Sequence, residues 1–294
     1  MTDTSPHLVT VAIPVRNGAS VIAEQLQALS EQSCPVAWEL LVIDNGSTDG
    51  TDAVVQGFAS KLPDLRVVRE DRVGIGPARN RALAEARGDL LAICDADDVV
   101  QPGWLAALVA AITSYDAVGG YADMTIANPP QVLAWRGTLP ADQLPVAIGA
   151  WPFAPGGNII IRVDVARALG GWDETFVGGS DDVDFSWRLV RAGYRLGFAP
   201  DAVISYRVRA GLRGLMRQFW QYGRTESLLY SRHREHGLPT YSVWALVRLW
   251  RGLAPSIVRG LLSRDLTARG VALRKLAYHA GRFAGSVKTR VVFP

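Results

Sequence analysis

The sequence predicts an α/β fold, with a Rossmann-like, mixed and mostly parallel sheet flanked by helices and a basic helical extension toward the C-terminus. Two observations support this prediction. Short β-branched apolar runs alternate with helical periodicity through the first 124 residues, a pattern typical of parallel strands joined by right-handed helical crossovers. From Leu212 onward the pattern is helical, basic and rich in Trp and Tyr.

The first two predicted strands both lead into polar turns. Residues 8–15 form a β-branched apolar run that predicts a buried strand, and residues 19–32 carry Val, Ile and Leu at helical spacing. The apolar part of 38–51 predicts a second strand that ends in turn residues. Ser47 or Thr48 in this turn can cap the helix that follows.

The alternation then continues to residue 124. Strand, helix, strand, helix and strand are predicted in that order at 65–70, 74–88, 89–98, 102–112 and 116–124. The next segment, 128–156, is rich in Pro and Gly and predicts a long ordered loop or lid. Residues 156–208 return to strand, helix, loop, helix and strand.

Composition places the chain among globular proteins. With 49% hydrophobic and 20% charged residues over 294 positions, it can bury a large core. Only two cysteines occur, Cys34 and Cys94, without CxxC spacing, and the first ten residues lack the pattern of a signal peptide. No uncharged apolar run is long enough to span a bilayer. We therefore expect a reduced, cytoplasmic setting.

Charge is distributed unevenly along the chain. From Arg207 to the end there are 17 Lys or Arg and 3 Asp or Glu, whereas residues 1–206 hold 14 and 25. An acidic body with a basic tail predicts an acidic partner for the tail. Membrane lipid, nucleic acid and a phosphorylated substrate are the candidates on charge alone.

Three acids follow the predicted strand 89–98, namely Asp95, Asp97 and Asp98. Because carboxylates packed this closely repel and are costly to bury, they predict a ligand site beyond the strand end. Mg²⁺ or Mn²⁺ commonly takes one or two carboxylates together with substrate phosphates. Capping of the next helix is the alternative, and it explains one acid better than three.

Two further residues lie where the same ligand would be. Asp44 ends a neighbouring strand, where it can accept from a base or ribose or close an Asx turn. Arg79, in the segment GIGPARN, can meet phosphate or base. That segment lacks the spacing of dinucleotide-binding and P-loop motifs.

A second acidic cluster, Asp181, Asp182 and Asp184, precedes an amphipathic helix. One of these acids can cap the helix. A neighbouring pair suits a general base, because adjacent carboxylates raise one another's pKa. Asp184 and Arg188 are spaced i,i+4, which predicts a structural ion pair.

In combination these motifs resemble the family-2 glycosyltransferases, inverting enzymes with the GT-A fold. VAIPVRNGA resembles the first strand with its P-x-x-N, VIDNGSTDGT the nucleotide loop, and GIGPARNRALAEARGDLLAICDADD the helix leading into the DxD strand. GGNIIIR with LGGWDETF resembles the acceptor-side segment, and GGSDDVDFSWRLVRAGYRL the [ED]-D-x-D-[LF]-x-x-R motif. The resemblance covers about residues 8–206.

The resemblance implies a role for each matching residue. It implies nucleotide binding by six residues: Pro14, Val15, Asn17, Asp44, Arg79 and Asp95. It implies Asp97 as ligand of a divalent cation, Mn²⁺ or Mg²⁺, and Asp182 as the base, with Asp181 where the family usually has Glu. Trp172 and Asp173 are implied near the acceptor. One departure is Tyr206, which stands about where many relatives have His, so that metal binding would rest on Asp97, diphosphate and water.

The resemblance also implies a domain organisation and a reaction. We expect a GT-A catalytic domain at 1–208, with a nucleotide-sugar half at about 1–124 and an acceptor half at about 125–208, and a basic amphipathic helical extension at 209–294. The expected reaction moves a sugar from a nucleoside-diphosphate sugar to an acceptor hydroxyl with inversion. Lipid-linked, glycan or cell-envelope, and small-molecule acceptors stay open, and no nucleic acid is expected as a partner.

Two other functions share the sheet and the acids. A sugar-nucleotide nucleotidyltransferase would want a Gly-rich, basic loop after the first strand, and PVRNGASV is poor for holding a triphosphate. A non-catalytic nucleotide-sugar-binding scaffold would not need both acidic clusters. Release of pyrophosphate or of nucleoside diphosphate separates the first alternative from a glycosyltransferase.

The tail leaves two interpretations open. Residues 241–283 are apolar but interrupted by Arg248, Arg251 and Arg259, and each Arg at the centre of a spanning helix costs about 2.5–3.5 kcal/mol. The helices either pack on the catalytic domain or a second subunit of a homo-oligomer, or lie in the interface of an anionic membrane. The second interpretation fits an enzyme at the inner face of the cell membrane.

Overall fold

The computed structural model describes residues 8–208 and 211–293, and these form two compact units. The first, which we call the sheet unit, comprises the chain up to Ile126, Leu139–Thr175 and Asp181–Arg207. The second, the helical unit, comprises Ala127–Thr138, Phe176–Ser180 and the chain from Val208 on. The domain boundaries expected from the sequence stay predictions.

Ten strands lie in the described part of the sheet unit. They are β1 Leu8–Val15, β2 Ala37–Asp44, β3 Arg66–Arg69, β4 Leu90–Cys94, β5 Val99–Val100, β6 Ala117–Asp123, β7 Val146–Ala147, β8 Trp151–Pro152, β9 Asn158–Arg162 and β10 Leu196–Ser205. Eight of them form one sheet in the order β3-β2-β1-β4-β9-β6-β10-β5, and β7 pairs with β8. Strand β9 runs antiparallel to both neighbours and β5 antiparallel to β10, whereas the other pairs are parallel.

The helices divide between the two units. Those of the sheet unit are α1 Ile22–Ser30, α2 Thr51–Gln56, α3 Ile75–Glu85, α4 Trp104–Ile112, α6 Val163–Ala168 and α7 Asp181–Arg191. Those of the helical unit are α5 Pro130–Arg136, α8 Leu212–His233, α9 Val243–Leu262 and α10 Leu266–Thr289, with a 3₁₀ turn at Arg234–His236. The predicted fold class is confirmed: a mixed, mostly parallel sheet is flanked by helices, with helices at the C-terminal end.

The core of the sheet unit lies in two layers, one on each face of the sheet. Along β1, Val9, Val11 and Ile13 belong to one layer and Ala12 to the other, as the two-residue period of a strand requires. The first layer is closed by α1 and α4 and the second by α3, α6 and α7. Strands covered on both faces are apolar throughout, which explains the continuous apolar runs in the sequence.

The segment predicted as a long loop contains regular structure. Residues 130–136 form α5, and β7 and β8 make a short hairpin. Pro130 lies in the first turn of α5, where its missing N–H has no helical partner in any case. The Pro-rich composition that suggested a loop is therefore compatible with a helix start.

Close packing of α8 on α10 organises the helical unit. A Cβ atom added at Gly223 would lie 2.0 Å from the carbonyl oxygen of Tyr278, and one at Gly281 would lie 2.1 Å from that of Trp220. The backbones therefore approach at glycines. Across the same contact Arg282 donates to Glu226. Within the described residues, the helices are all too short or too polar to cross a bilayer.

A candidate active site at the carboxyl edge of the sheet

Two loops at the carboxyl ends of β1 and β2 are joined by hydrogen bonds. The backbone N–H of Asn17 donates to Ser47 Oγ over 2.9 Å, and its side-chain oxygen accepts from the N–H of Thr48 over 2.9 Å. The N–H of Gly18 donates to Thr51 Oγ1 over 2.9 Å. Asn17 has φ 54°, a left-handed conformation that Asn tolerates better than most residues. We call these loops, residues 16–19 and 44–51, the loop platform.

The predicted nucleotide residues of these strands come together at the platform. Pro14 and Val15 pair in register with Ile43 and Asp44 at the ends of β1 and β2. The Val15 side chain belongs to the core, so only its backbone can face a ligand. Asp44 is half-buried and accepts from the N–H of Ser47 over 2.9 Å, which closes an Asx turn.

The three acids after β4 lie in different surroundings. Asp98 is only 2% exposed, and its Oδ1 accepts from the backbone N–H of Arg207 over 2.8 Å. Asp97 is exposed and Asp95 is half-buried. Asp98 therefore joins the end of β4 to the segment after β10, while Asp97 stays open to a ligand.

The acids at the start of α7 divide in a similar way. Asp181 is buried and accepts from the guanidinium of buried Arg79. Asp184 accepts from Arg188 over 2.7 Å, as the i,i+4 spacing predicts. Asp182 is half-buried, and its Oδ2 accepts from the backbone N–H of Gly156 over 3.0 Å. Among the described residues, the oxygens of Asp182 accept from the backbone N–H groups of Gly156 and Val183 and from no arginine.

Residues Gly156 and Gly157 connect the two acidic clusters. A Cβ atom at Gly156 would lie 2.3 Å from the guanidinium of Arg79, and one at Gly157 would lie 2.3 Å from Asp95 Oδ2. The contact follows from topology, because antiparallel pairing sets Asn158 at the start of β9 opposite Cys94 at the end of β4. Any side chain at these two glycines would have to displace a charged group.

Burial and neighbouring charges shift the acidity of these carboxyls. Desolvation raises the pKa of Asp182 to about 6, the charge of Asp181 adds to the rise, and Arg79 opposes it. Desolvation also raises the pKa of Asp95 to about 6, opposed by Arg79 and reinforced by Asp97. The pKa of Asp98 rises well above its usual value, chiefly through burial. Asp95 and Asp182 thus have pKa values between that of an ordinary carboxyl and neutral pH.

Two predicted site residues, Arg79 and Trp172, are mostly enclosed by protein. Arg79 is 4% exposed and held by Asp181. Trp172 is 2% exposed and its ring stacks on Phe185 with centroids 4.4 Å apart. Asp173 is half-buried and accepts from the N–H of Thr175 over 2.9 Å. The nucleotide and acceptor contacts of these residues stay predictions, and of the three only Asp173 is partly exposed.

Two buried asparagines that were not singled out in the sequence position the site. Asn45 donates to the carbonyls of Glu70 and Arg72, both over 2.9 Å, and accepts from the N–H of Gly74 over 2.8 Å. It thereby fixes the turn that begins α3. Asn158 is fully buried and accepts from the indole of Trp104 over 2.8 Å. An amide within an apolar strand, as in GGNIIIR, is the signal that could have identified it.

The donor set fits a hard divalent cation held mainly by substrate. Within residues 8–208 and 211–293, no three His, Cys, Asp or Glu side chains are grouped as a metal site. Exposed Asp97, with Asp95 nearby, offers carboxylate oxygens, which suit Mg²⁺ or Mn²⁺ when phosphates and water complete the shell. Tyr206 is half-buried beside the core and adds no ligand of the kind that His would supply.

Comparison with known families decides the class of protein. The family model described as Glycosyl transferase family 2 matches residues 10–170. The chain belongs to glycosyltransferase family 2. The glycosyltransferase AglE of Haloferax volcanii is 30% identical over 283 residues, which cover 95% of this chain and 91% of the relative. The pre-mycofactocin glycosyltransferase of Mycobacterium tuberculosis is 28% identical, and the match covers 90% of this chain but only 57% of that relative.

Solved structures share the fold of this family-2 glycosyltransferase. The mannosyltransferase PcManGT of Pyrobaculum calidifontis, solved with GDP-Man and Mn²⁺, superposes with a TM-score of 0.68 at 23% identity, covering 98% of this chain and 88% of the other. TarS of S. aureus, residues 1–349 with UDP-GlcNAc, gives a TM-score of 0.55 at 16% identity, covering 97% and 93%. At these identities the likeness shows the fold.

Proposed function

We propose that this glycosyltransferase moves a sugar from a nucleoside-diphosphate sugar to an acceptor hydroxyl with inversion, and that Asp182 is the general base. The observation that supports this most directly is the setting of Asp182. Its carboxylate is half-buried and fixed by the N–H of Gly156, and it has a pKa raised to about 6. Such a group is ionised at neutral pH and still basic enough to take a proton from a hydroxyl in the transition state.

The donor is proposed to bind at the loop platform. Asn17 and Asp44 lie there at the ends of β1 and β2, with Pro14 and Val15 lining the edge by backbone. Asp95 stands one strand away, at the end of β4. The solved relatives that contain GDP-Man or UDP-GlcNAc support a sugar nucleotide as the donor.

Asp97, with Asp95 beside it, would hold the divalent cation. When bound, Mn²⁺ or Mg²⁺ neutralises negative charge on the departing diphosphate. The presence of Mn²⁺ with GDP-Man in PcManGT supports this assignment. The exposed position of Asp97 lets its carboxylate reach a substrate-borne cation without loss of any bond within the described part of the protein.

The chemistry assigned to the protein is one displacement. An acceptor oxygen attacks the anomeric carbon from the face opposite the diphosphate, and a new C–O bond forms as the old C–O bond breaks. The electron pair of the broken bond leaves with the nucleoside diphosphate, and the hydroxyl proton passes to Asp182. The anomeric carbon acquires oxocarbenium character, and inversion follows from the single step.

Arg79 and Asp181 are proposed to position the base. Their buried ion pair anchors the first turn of α7 against α3. The contact of Arg79 with the backbone at Gly156 extends this anchor to the amide that binds Asp182. The acceptor is proposed to approach along residues 172–175, where Asp173 is half-buried. A cytoplasmic setting is proposed as well, supported by the free thiols of Cys34 and Cys94.

The test is product analysis with a panel of nucleotide sugars. Each donor is incubated with lipid-linked saccharides, oligosaccharides and small alcohols, with MnCl₂ or with EDTA, beside Asp182→Asn as the control. We expect nucleoside diphosphate from the wild-type protein only, metal dependence, and by NMR an anomeric configuration opposite to that of the donor. Pyrophosphate as the product would contradict a glycosyltransferase mechanism, and a retained configuration would contradict the direct displacement.

A further inference from the structure

Helix α9 presents an apolar surface that no described residue covers. The side chains of Trp244 and Leu262 are 76% and 78% exposed, and Val243, Val247 and Val258 are also exposed. At 100° per residue these positions fall on one half of the helix. A shallow apolar groove continues this surface, lined by Leu246, Val247, Trp250, Arg251, Ala254 and Pro255. We call these five exposed apolar residues of α9 the α9 face.

The opposite side of α9 is already used for packing. Ile257 is buried, and a Cβ atom at Gly260 would lie 2.7 Å from the Cβ of Ala272 on α10. The ring of Trp250 meets that of His279 edge-on, with centroids 5.9 Å apart. Packing of α9 on protein thus accounts for one side of the helix and leaves the α9 face unexplained.

The charges next to the α9 face have one sign. Arg248, Arg251 and Arg259 are exposed on α9, and α9 has no Asp or Glu. No ion pair to these three arginines is present among the described residues. The nearest acid along the chain, Asp265, accepts from the N–H groups of Thr267 and Ala268 as the cap of α10. At 100° per residue Arg251 lies within the arc of the α9 face, and Arg248 and Arg259 lie beside it. The surface is therefore apolar and carries positive charge that no acid of α9 compensates.

We propose that the α9 face binds the surface of an anionic lipid bilayer, with α9 lying in the plane of the interface. Apolar side chains enter the headgroup boundary in this geometry, while the long arginine side chains extend to lipid phosphates. Trp suits this depth because its ring is largely apolar and its N–H is polar. The proposal rests on the helical unit alone and is independent of the proposed glycosyl transfer.

The combination of positive charge and apolar surface favours an anionic bilayer over a second copy of the chain or a nucleic acid. A second copy placed face to face would bring arginines against arginines without an acid to pair them, which is unfavourable. A nucleic acid would use the arginines but would leave Trp244 and Leu262 in water. An anionic bilayer satisfies both features at once, and each Arg near such a surface adds about fivefold to the partition coefficient.

Vesicle flotation of the whole 294-residue chain tests the proposal. The vesicles contain phosphatidylcholine alone or with 40 mol% phosphatidylglycerol, in 50 mM or 500 mM NaCl. We expect flotation with the anionic vesicles in low salt and release in high salt, because screening shortens the range of surface charge. Trp244→Glu with Leu262→Glu, and separately Arg248→Glu with Arg251→Glu, should each lower the partition coefficient at least about twentyfold.

Matched controls carry the same chemical change elsewhere. Val190→Glu alters an exposed apolar residue of α7, and Lys61→Glu reverses an exposed charge in the sheet unit. Both should float as the wild type does, and circular dichroism melting should be the same for all variants. The proposal is overturned if the α9 variants float as well as the wild type does, or if the wild type does not float with anionic vesicles in low salt. A dimer that the Trp244 and Leu262 changes abolish, without flotation, assigns the α9 face to a second copy instead.

The ring of Trp244 provides a readout of depth. The difference in emission between wild type and Trp244→Phe isolates this ring from the other eight tryptophans. Brominated lipids in anionic vesicles should quench that difference signal strongly, and anionic vesicles without brominated lipids should not. A difference signal that brominated lipid leaves unchanged while the protein floats would place the contact on another surface.

Discussion

The two acidic clusters of the sheet unit have the same density of charge and different neighbours. Each places three carboxylates within four residues, at 95–98 and at 181–184. At the start of α7, two of the three are paired with the side chains of Arg79 and Arg188. After β4, the buried Asp98 is bound only by a backbone N–H, and exposed Asp97 has no hydrogen bond or ion pair within the described residues.

This difference suggests how the clusters divide the work. At the start of α7, arginine side chains pair with two of the acids. The third, Asp182, is left to serve as a base with a raised pKa. Because no described Lys or Arg side chain pairs with Asp97, a metal cation that arrives with the substrate can bind its carboxylate. Three substitutions and one pH profile test this division of roles.

Asp182→Asn is expected to have the largest effect on transfer. Loss of a general base lowers kcat by about 10²–10⁴, and donor affinity should stay within about twofold because the base acts on the acceptor. Stability should not fall at pH 7. The pKa of Asp182 is raised to about 6, so its ionisation weakens the fold as pH rises from about 4 to 6. Single-turnover kinetics, titration calorimetry and thermal melting measure the three quantities.

If Asp182→Asn transfers sugar at a rate near that of the wild type but binds the donor much more weakly, Asp182 is not the base. Asp181, its neighbour, would then be the next candidate.

Asp181→Asn is expected to act on the fold first. Removing one partner of a buried ion pair leaves the charge of Arg79 uncompensated, which costs about 3–5 kcal/mol of unfolding free energy. Urea denaturation measures this loss. Asp71→Asn is the matched control, because its pair with Arg69 is exposed on both sides and should change stability by less than about 1 kcal/mol. Equal effects of the two substitutions would mean that the buried pair has no anchoring role.

Asp97→Asn should lower kcat by at least about a hundredfold in saturating Mn²⁺, the scale for loss of one electrostatic stabiliser. Because Asp97 is exposed, the melting temperature should be unchanged. Asp201→Asn, also an exposed acid of the sheet unit, is the control and should leave both quantities unchanged. Full activity of the Asp97 variant at every Mn²⁺ concentration would exclude this residue as the ligand.

The pH dependence of kcat/KM gives the smallest effect. A base must be ionised, so kcat/KM should fall about tenfold per unit as pH drops below about 6, the value to which burial raises the pKa of Asp182. Asp95 has its pKa raised to the same range, and the two acids titrate as a coupled system. The residual activity of Asp182→Asn should lack most of this decline. A profile flat down to pH 5 contradicts the raised pKa.

Local patterns in the sequence were enough to predict the sheet and the edge where its acids lie. Alternation of strands and helices fixed the parallel part, and carboxyl ends of parallel strands share an edge, so Asp44 and Asp95 could be placed together in advance. The P-x-x-N and D-N-G-S segments also predicted two loops at that edge. The hydrogen bonds between Asn17 and Ser47 or Thr48 show that these loops form one platform.

Long-range pairings could not be predicted in the same way. Arg79 and Asp181 are 102 residues apart, and no local spacing distinguishes an arginine that meets a ligand from one that meets a buried acid. The burial of Trp172 depends on its stack with Phe185, which is likewise a tertiary contact. For the tail, helical periodicity gave the apolar face of α9 but not which side would be covered by α10.

The place of β9 has a consequence for how the chain folds during synthesis. This strand, at Asn158–Arg162, lies between β4 and β6 and pairs with both. Until it leaves the ribosome, β4 and β6 each expose a strand edge without a partner, and such edges invite pairing with other chains. We expect ribosome-bound chains that end before residue 158 to be aggregation-prone and protease-sensitive, and chains in which β9 has emerged to become markedly more protected.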